Sequence, residues 1–110
     1  MDGRREAYRR RSPRPRPPGT VVIAAHGDVG VDDAVELRQT LVHVVRKTRP
    51  LRLEVALADV GAIDSINIGT LAAVCALADV HHVAVFHTNP SGPLALLLTT
   101  AGVPTHRIHP

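Results

Sequence analysis

The sequence predicts an α/β domain in which a mostly parallel β-sheet packs against helices. Short β-branched runs alternate with amphipathic segments in the order βαβαβα, and this alternation favours parallel strands joined by helices. The chain has 110 residues, enough for one compact domain and a tail but not for a second independent core. An Arg- and Pro-rich segment fills residues 1–18, so we expect the domain to span residues 19–110.

Three short apolar runs predict the strands. The first is TVVIAA at 20–25, which ends at the turn-like HGDVG. The second is LRLEVAL at 51–57, followed by a turn-like stretch at 59–63. The third is VAVFH at 83–87, bounded by NPSGP, and the C-terminal VPTHRIHP could add at most a short edge strand.

Three helices are predicted between and after these strands, at 31–47, 66–79 and 94–101. The first has apolar residues at spacings of three and four, with acids early and bases late, which complements the helix dipole. The second is almost wholly apolar and should be buried on much of its circumference. The third follows Pro93, a favourable first residue, and ends at Gly102, which suits a C-terminal cap.

The net charge of +3 belongs to the N-terminal arm, because residues 1–18 hold seven Arg against two acids while the rest of the chain is mildly acidic. We expect this arm to be disordered and the domain to bind no nucleic acid directly. One Tyr, one Phe and no Trp argue against a base-stacking platform. An arm that contacts nucleic-acid phosphates remains an alternative.

Cys75 is the only cysteine, so the chain cannot form an intramolecular disulfide, and the spacing of the seven His predicts no metal site. A reducing, cytoplasmic location is expected. Cys75 is interpreted as a packed thiol, and the histidines as scattered over a polar surface. The longest apolar run is about half of what a bilayer-spanning helix needs, so no membrane span is predicted. No cofactor is expected either.

Asp64 and Ser65 lie at a junction between a strand and the most apolar helix. The N-terminus of a helix favours anions, so a phosphate on Ser65 would be held there and would add close to two negative charges to the surface. The alternative is that one of the two residues is simply the helix N-cap.

The stretch VALADVGAIDSINIGTLAAV resembles the central motif of the STAS domain, the fold of bacterial anti-sigma factor antagonists. GDVG and NPSGPLALLLTTAGV resemble further segments of that family in the same order, so the resemblance covers roughly residues 20–105. It implies a non-catalytic regulatory module that works by partner switching. In the family, the unphosphorylated antagonist binds an anti-sigma factor, often a serine kinase, and phosphorylation at the Asp-Ser site cancels binding.

Carried over to this chain, the resemblance implies that Asp64 is the motif acid and Ser65 the phosphate acceptor. ATP would belong to the partner kinase. The implied docking surface comprises Asp28, Val29, Gly30, Asp64, Asn67, Ile68 and Leu71.

Three positions depart from the family pattern. Gly30 and Ala56 replace acids, and Asn67 replaces a Gly, which adds bulk near a docking kinase. The loss of the two acids suits an alternative role slightly better. In that role the chain is a STAS subunit of a membrane lipid-transport complex and binds a transporter ATPase through the same face without phosphorylation.

Overall fold

The computed structural model describes residues 18–110. The predicted disordered arm at residues 1–18 therefore lies, apart from Pro18, outside the described residues.

Within residues 18–110, four parallel strands form one sheet in the order of the sequence: β1 (Thr20–Val29), β2 (Arg52–Ile63), β3 (Ala84–Thr88) and β4 (Ile108–His109). The predicted α/β class with a parallel sheet is confirmed, and β4 is the short edge strand expected at the C-terminus. Because neighbouring parallel strands are joined by right-handed crossovers, this order places the helices on one face of the sheet.

The first predicted helix forms as three consecutive pieces. A 3₁₀ turn (Val31–Asp33) leads into α1 (Ala34–His43), which continues as a π-helical turn (Val44–Thr48). The helix ends at Arg49, whose φ of 48° places it in the left-handed region.

The other two helices lie close to their predicted bounds. They are α2 (Ser65–Val80) and α3 (Gly92–Thr100), and a 3₁₀ turn (Thr105–Arg107) follows them. Ser91 caps α3 by accepting a hydrogen bond from the backbone N–H of Leu94 at 3.2 Å.

Both turn-like segments predicted after the first two strands are wrong, because β1 and β2 continue through them. His26 pairs with Asp59, and Val29 pairs with Ile63. Two register shifts in this stretch let pairing resume after an interruption, and Gly27 adopts a positive φ of 71° between them. The turn-forming residues therefore mark bulges within a continuing ladder.

The core lies between the helices and the facing side of the sheet. Alternate strand residues point into it, and each helix contributes one buried stripe. Its fully buried members include Ile23, Leu41, Leu53, Val55, Leu71, Val85 and Leu98. Cys75 lies in this core as expected, and burial raises the pKa of its thiol.

His87 contradicts the expectation that the histidines lie on a polar surface. Its side chain is 0% exposed, and its ring Nε2 lies 2.9 Å from the backbone carbonyl oxygen of Leu71, to which it donates. Burial lowers the pKa of His87 to about 4. The hydrogen bond to the Leu71 carbonyl partly opposes this lowering, and the positive charge of Arg107 adds to it. The imidazole is therefore neutral at pH 7 and joins β3 to α2.

No helix within residues 18–110 is long and apolar enough to cross a bilayer.

Candidate functional site

The candidate site lies where the carboxyl ends of β1 and β2 meet the N-terminus of α2. Val29 and Ile63 are the last paired residues of the two strands, and α2 starts two residues after Ile63. The carboxyl edge of a parallel sheet is where α/β folds commonly bind their ligands. Ser65 is the first residue of α2 and is exposed.

Asp64 joins the strand ends to the helix. It is the N-cap of α2, and its Oδ2 accepts a hydrogen bond from the backbone N–H of Ile66 at 2.9 Å. Its own backbone N–H donates to the Val29 carbonyl oxygen, also at 2.9 Å. Asp64 therefore takes the capping role that the sequence left open between the two residues, and the Ser65 side chain remains exposed in the first helical turn.

Asn67 ties the same helical turn to the end of β1. Its side chain is 0% exposed, and Nδ2 donates to the carbonyl oxygens of Gly30 at 2.8 Å and Val29 at 3.4 Å. The expectation that Asn67 adds bulk to the docking face is therefore wrong. The amide points inward and acts as a link between two elements.

The Asp28 side chain links the end of β1 to the end of β2. Its Oδ1 accepts a hydrogen bond from the backbone N–H of Ala62 at 2.9 Å. A Cβ on Gly61 would lie 2.7 Å from that oxygen, so a glycine at 61 permits the close approach. Asp28 is exposed and lies two residues before Gly30, the N-cap of the 3₁₀ turn.

Gly30 is held by Asp33, whose Oδ2 accepts a hydrogen bond from the Gly30 backbone N–H at 2.9 Å. The φ of Gly30 is −103°, which any residue can adopt, and a Cβ at position 30 would meet nothing within 4 Å. Backbone geometry therefore does not require the glycine that stands where the family has an acid.

Ala56, the other position that lacks the family acid, lies far from Ser65. It is in the middle of β2, paired with Ala24 and Thr88, and its neighbours Val55 and Leu57 point into the core. Its side chain therefore points to the face of the sheet opposite the helices. The substitution does not change the immediate surroundings of Ser65.

The seven predicted docking residues separate into two groups. Asp28 and Gly30 reach the surface with Asp64, beside exposed Ser65. The prediction is wrong for the remaining four side chains, because they are buried: Val29 (2% exposed), Asn67 (0%), Ile68 (6%) and Leu71 (1%). On α2 these residues form the stripe that faces the sheet, so they support the site from beneath.

Three exposed apolar residues that the sequence analysis did not select lie next to Ser65 or on the helical segment that follows β1. Ile66 is 55% exposed, and Val31 and Val35 are 59% and 61% exposed. Val31 directly follows Gly30, which Asn67 bonds to the first turn of α2, and Val35 lies one turn further along its helix. The sequence held a signal for Val31 and Val35, because these two apolar residues lie four apart on a helix face that is otherwise polar.

We use the name Ser65 surface for the exposed and half-buried residues at this edge. The carboxylates of Asp28 and Asp64 make this surface negative, and a phosphate on Ser65 would increase that charge. The phosphate would also lie beside exposed apolar side chains. The Ser65 surface comprises Asp28, Val31, Val35, Asp64, Ser65 and Ile66. Within residues 18–110, His, Cys, Asp and Glu side chains form no cluster of three that could hold a metal.

Comparison with known proteins gives a consistent fold assignment. The family model described as "Mlab, STAS domain" matches residues 14–108. Among solved structures, the anti-sigma factor antagonist SpoIIAA in its unphosphorylated form is 14% identical, with a TM-score of 0.67 and 78% coverage of each chain.

A second similar structure is a candidate anti-sigma factor antagonist, tm1081, from Thermotoga maritima. It is also 14% identical, has a TM-score of 0.72, and the alignment covers 84% of this chain and 80% of that one. At this identity the likeness concerns the fold. No functionally curated protein matches the chain.

Proposed function

Because the chain belongs to the STAS domain family, we propose that it is an anti-sigma factor antagonist that acts by partner switching through the Ser65 surface. The two similar structures, both described as antagonists or candidate antagonists, support this choice within the family. The module has no catalytic activity of its own, and its partner is an anti-sigma factor in the cytoplasm.

The exposure of Ser65 carries the regulatory part of the proposal. Asp64 occupies the capping position, which leaves the Ser65 side chain exposed in the first turn of α2 and accessible to a serine kinase. Phosphorylation places close to two negative charges beside exposed Ile66. A partner that buries Ile66 must then desolvate a phosphate as well, so its binding weakens.

The test measures the binding of the anti-sigma factor encoded nearest this gene to the full chain, by titration calorimetry. Ser65→Ala removes the acceptor hydroxyl and is expected to bind like the native chain. Ser65→Asp introduces a charge and is expected to weaken binding by about tenfold or more, the range for an unpaired charge at an interface.

Ser91→Asp is the matched control. It adds the same charge at another helix N-terminus, and Asp replaces Ser well as an N-cap, so α3 stays capped. This variant is expected to bind normally. Equal weakening by both Asp variants would point to net charge alone and contradict a site at Ser65.

A second candidate function is that of a STAS subunit in a lipid-transport complex, which binds a transporter ATPase through the same surface without phosphorylation. The absence of the family acids at Gly30 and Ala56 favours it over the phosphorylated role. Binding to such an ATPase that is unchanged by treatment with the anti-sigma kinase would select this function.

A further inference from the structure

A groove of about 320 Å³ runs between α1 and α2 on the outer side of the helical layer. Its floor is formed by Leu41 and Val74, which are 0% and 4% exposed. This volume lies at the lower end of the range for small-molecule sites, which are concave and mostly apolar. The Ser65 proposal uses only one of its lining residues, Ile66.

The groove has two polar side chains, Arg38 from α1 and Thr70 from α2. No hydrogen bond or ion pair joins Arg38 to another residue in the part of the chain that the structure describes. The lining is otherwise apolar or glycine, so an anion near Arg38 would meet one cation and little other charge.

The two polar groups line the same groove from its two helices. Since α1 and α2 both connect parallel strands, the two helices run in the same direction. From Thr70 the apolar lining continues to Leu77, about 10 Å further along the helix axis.

We propose that this groove binds a single-chain amphiphile whose carboxylate pairs with Arg38 and whose alkyl chain lies along α2 toward Leu77. A guanidinium recognises a carboxylate through paired charge-assisted hydrogen bonds. Taking a methylene as about the size of a water molecule in the liquid, roughly 30 Å³, the groove holds a chain of about ten carbons.

The size of the groove favours this ligand over a protein segment. Nine residues line it, whereas a standard protein interface uses about 20 to 30 residues on each side. The proposal is independent of the proposed function, because it requires neither an anti-sigma factor nor phosphorylation of Ser65.

The test titrates the ¹⁵N-labelled full chain with sodium decanoate below its micellar concentration and follows backbone amide shifts. Saturable shifts are expected at Gly69 and Ala73. Arg38→Gln is expected to weaken decanoate binding by about tenfold, the contribution of a hydrogen bond to a charged group. Decanol, which has no charge, should bind this variant and the native chain equally.

Ala73→Phe fills the groove and is expected to abolish decanoate binding. Ala76→Phe, at another exposed position of the same helix but outside the groove, is its control, and Arg46→Gln is the control for charge. If Ala73→Phe does not fold, Gly69→Leu serves the same purpose, because a Cβ at Gly69 meets nothing within 4 Å.

Three results would overturn the proposal. The first is the absence of saturable shifts, and the second is decanoate binding that survives both groove-filling variants. The third is a dimer in sedimentation that Ala73→Phe dissociates, which would show that a second copy covers the groove. Any of these leaves the Ser65 proposal intact, since it is measured on a different ligand and different variants.

Discussion

The first turn of α2 and its middle are held by different interactions. At the first turn, Asp64 and Asn67 use polar side chains to bond the backbone at the end of β1 and the start of α2. In the middle, Leu71, Val74, Cys75 and Ala78 pack into the apolar core, and the buried His87 ring bonds to the Leu71 carbonyl. The middle therefore supplies stability, whereas the first turn positions Ser65.

The largest expected effect comes from the middle of the helix. Leu71 is 1% exposed, and Leu71→Ala should lower the free energy of unfolding by about 3 kcal/mol through lost burial and a residual cavity. Urea unfolding measures the change. Leu96→Ala, at a position that is 67% exposed, is the control and should change stability by less than about 0.5 kcal/mol. Equal effects at the two positions would contradict the assignment of Leu71 to the core.

His87 should make stability depend on pH in the acid range. Its folded pKa is about 4, below the ordinary value of 6.5, so the unfolded chain binds the proton more readily. The stability that comes from keeping His87 neutral is fully present above pH 6.5 and is lost as the pH falls toward 4. The free energy of unfolding should fall by up to about 3 kcal/mol, at roughly 1.4 kcal/mol per unit of pKa shift.

His87→Gln keeps a side-chain donor but does not titrate, so it separates this effect from the protonation of carboxylates. The difference in unfolding free energy between the native chain and His87→Gln should shrink as the pH is lowered from 6.5 to 4. A difference that stays constant over this range would show that His87 is not held neutral.

A smaller effect is expected where the first turn meets β1. Asn67→Ala leaves the Val29 and Gly30 carbonyls without their side-chain donor and should cost about 1 to 3 kcal/mol. It should also accelerate hydrogen exchange at the Asp64 amide, which bonds to Val29. Gln39→Ala, on an exposed face of α1, is the control. Unchanged exchange at Asp64 would indicate that Asn67 does not organise the site.

The smallest of these effects on stability is expected at the cap. Asp64→Ala removes the acceptor for the Ile66 backbone N–H and should cost about 1 kcal/mol. Asp64→Ser retains a capping oxygen and should recover most of that loss. Thermal unfolding of the native chain, Asp64→Ala and Asp64→Ser measures these differences in stability. A serine variant as unstable as the alanine variant would argue against a capping role.

The sequence predicted the helices and the parallel sheet because their signals are local and periodic. It did not predict how far β1 and β2 continue, since His26 and Asp59 resemble turn residues until their strands pair. The burial of Asn67 was also missed. An Asn near a helix start suggests a surface position, and only the fold brings the Gly30 carbonyl within reach of its amide.

The site itself was predicted in part. The position of Ser65 at the start of a helix followed from the strand-to-helix junction and the Asp-Ser motif. Val31 and Val35 stood out by their spacing of four, but helical spacing alone does not tell whether the packed fold covers such residues or leaves them exposed.

The most direct test of the account is the intact mass of the full chain after incubation with ATP and the anti-sigma kinase encoded nearest this gene. We expect the native chain and Ser91→Ala each to gain one phosphate, and Ser65→Ala to gain none. A native chain that gains no phosphate would contradict the regulatory role of Ser65, as would a Ser65→Ala variant that is phosphorylated like the native chain.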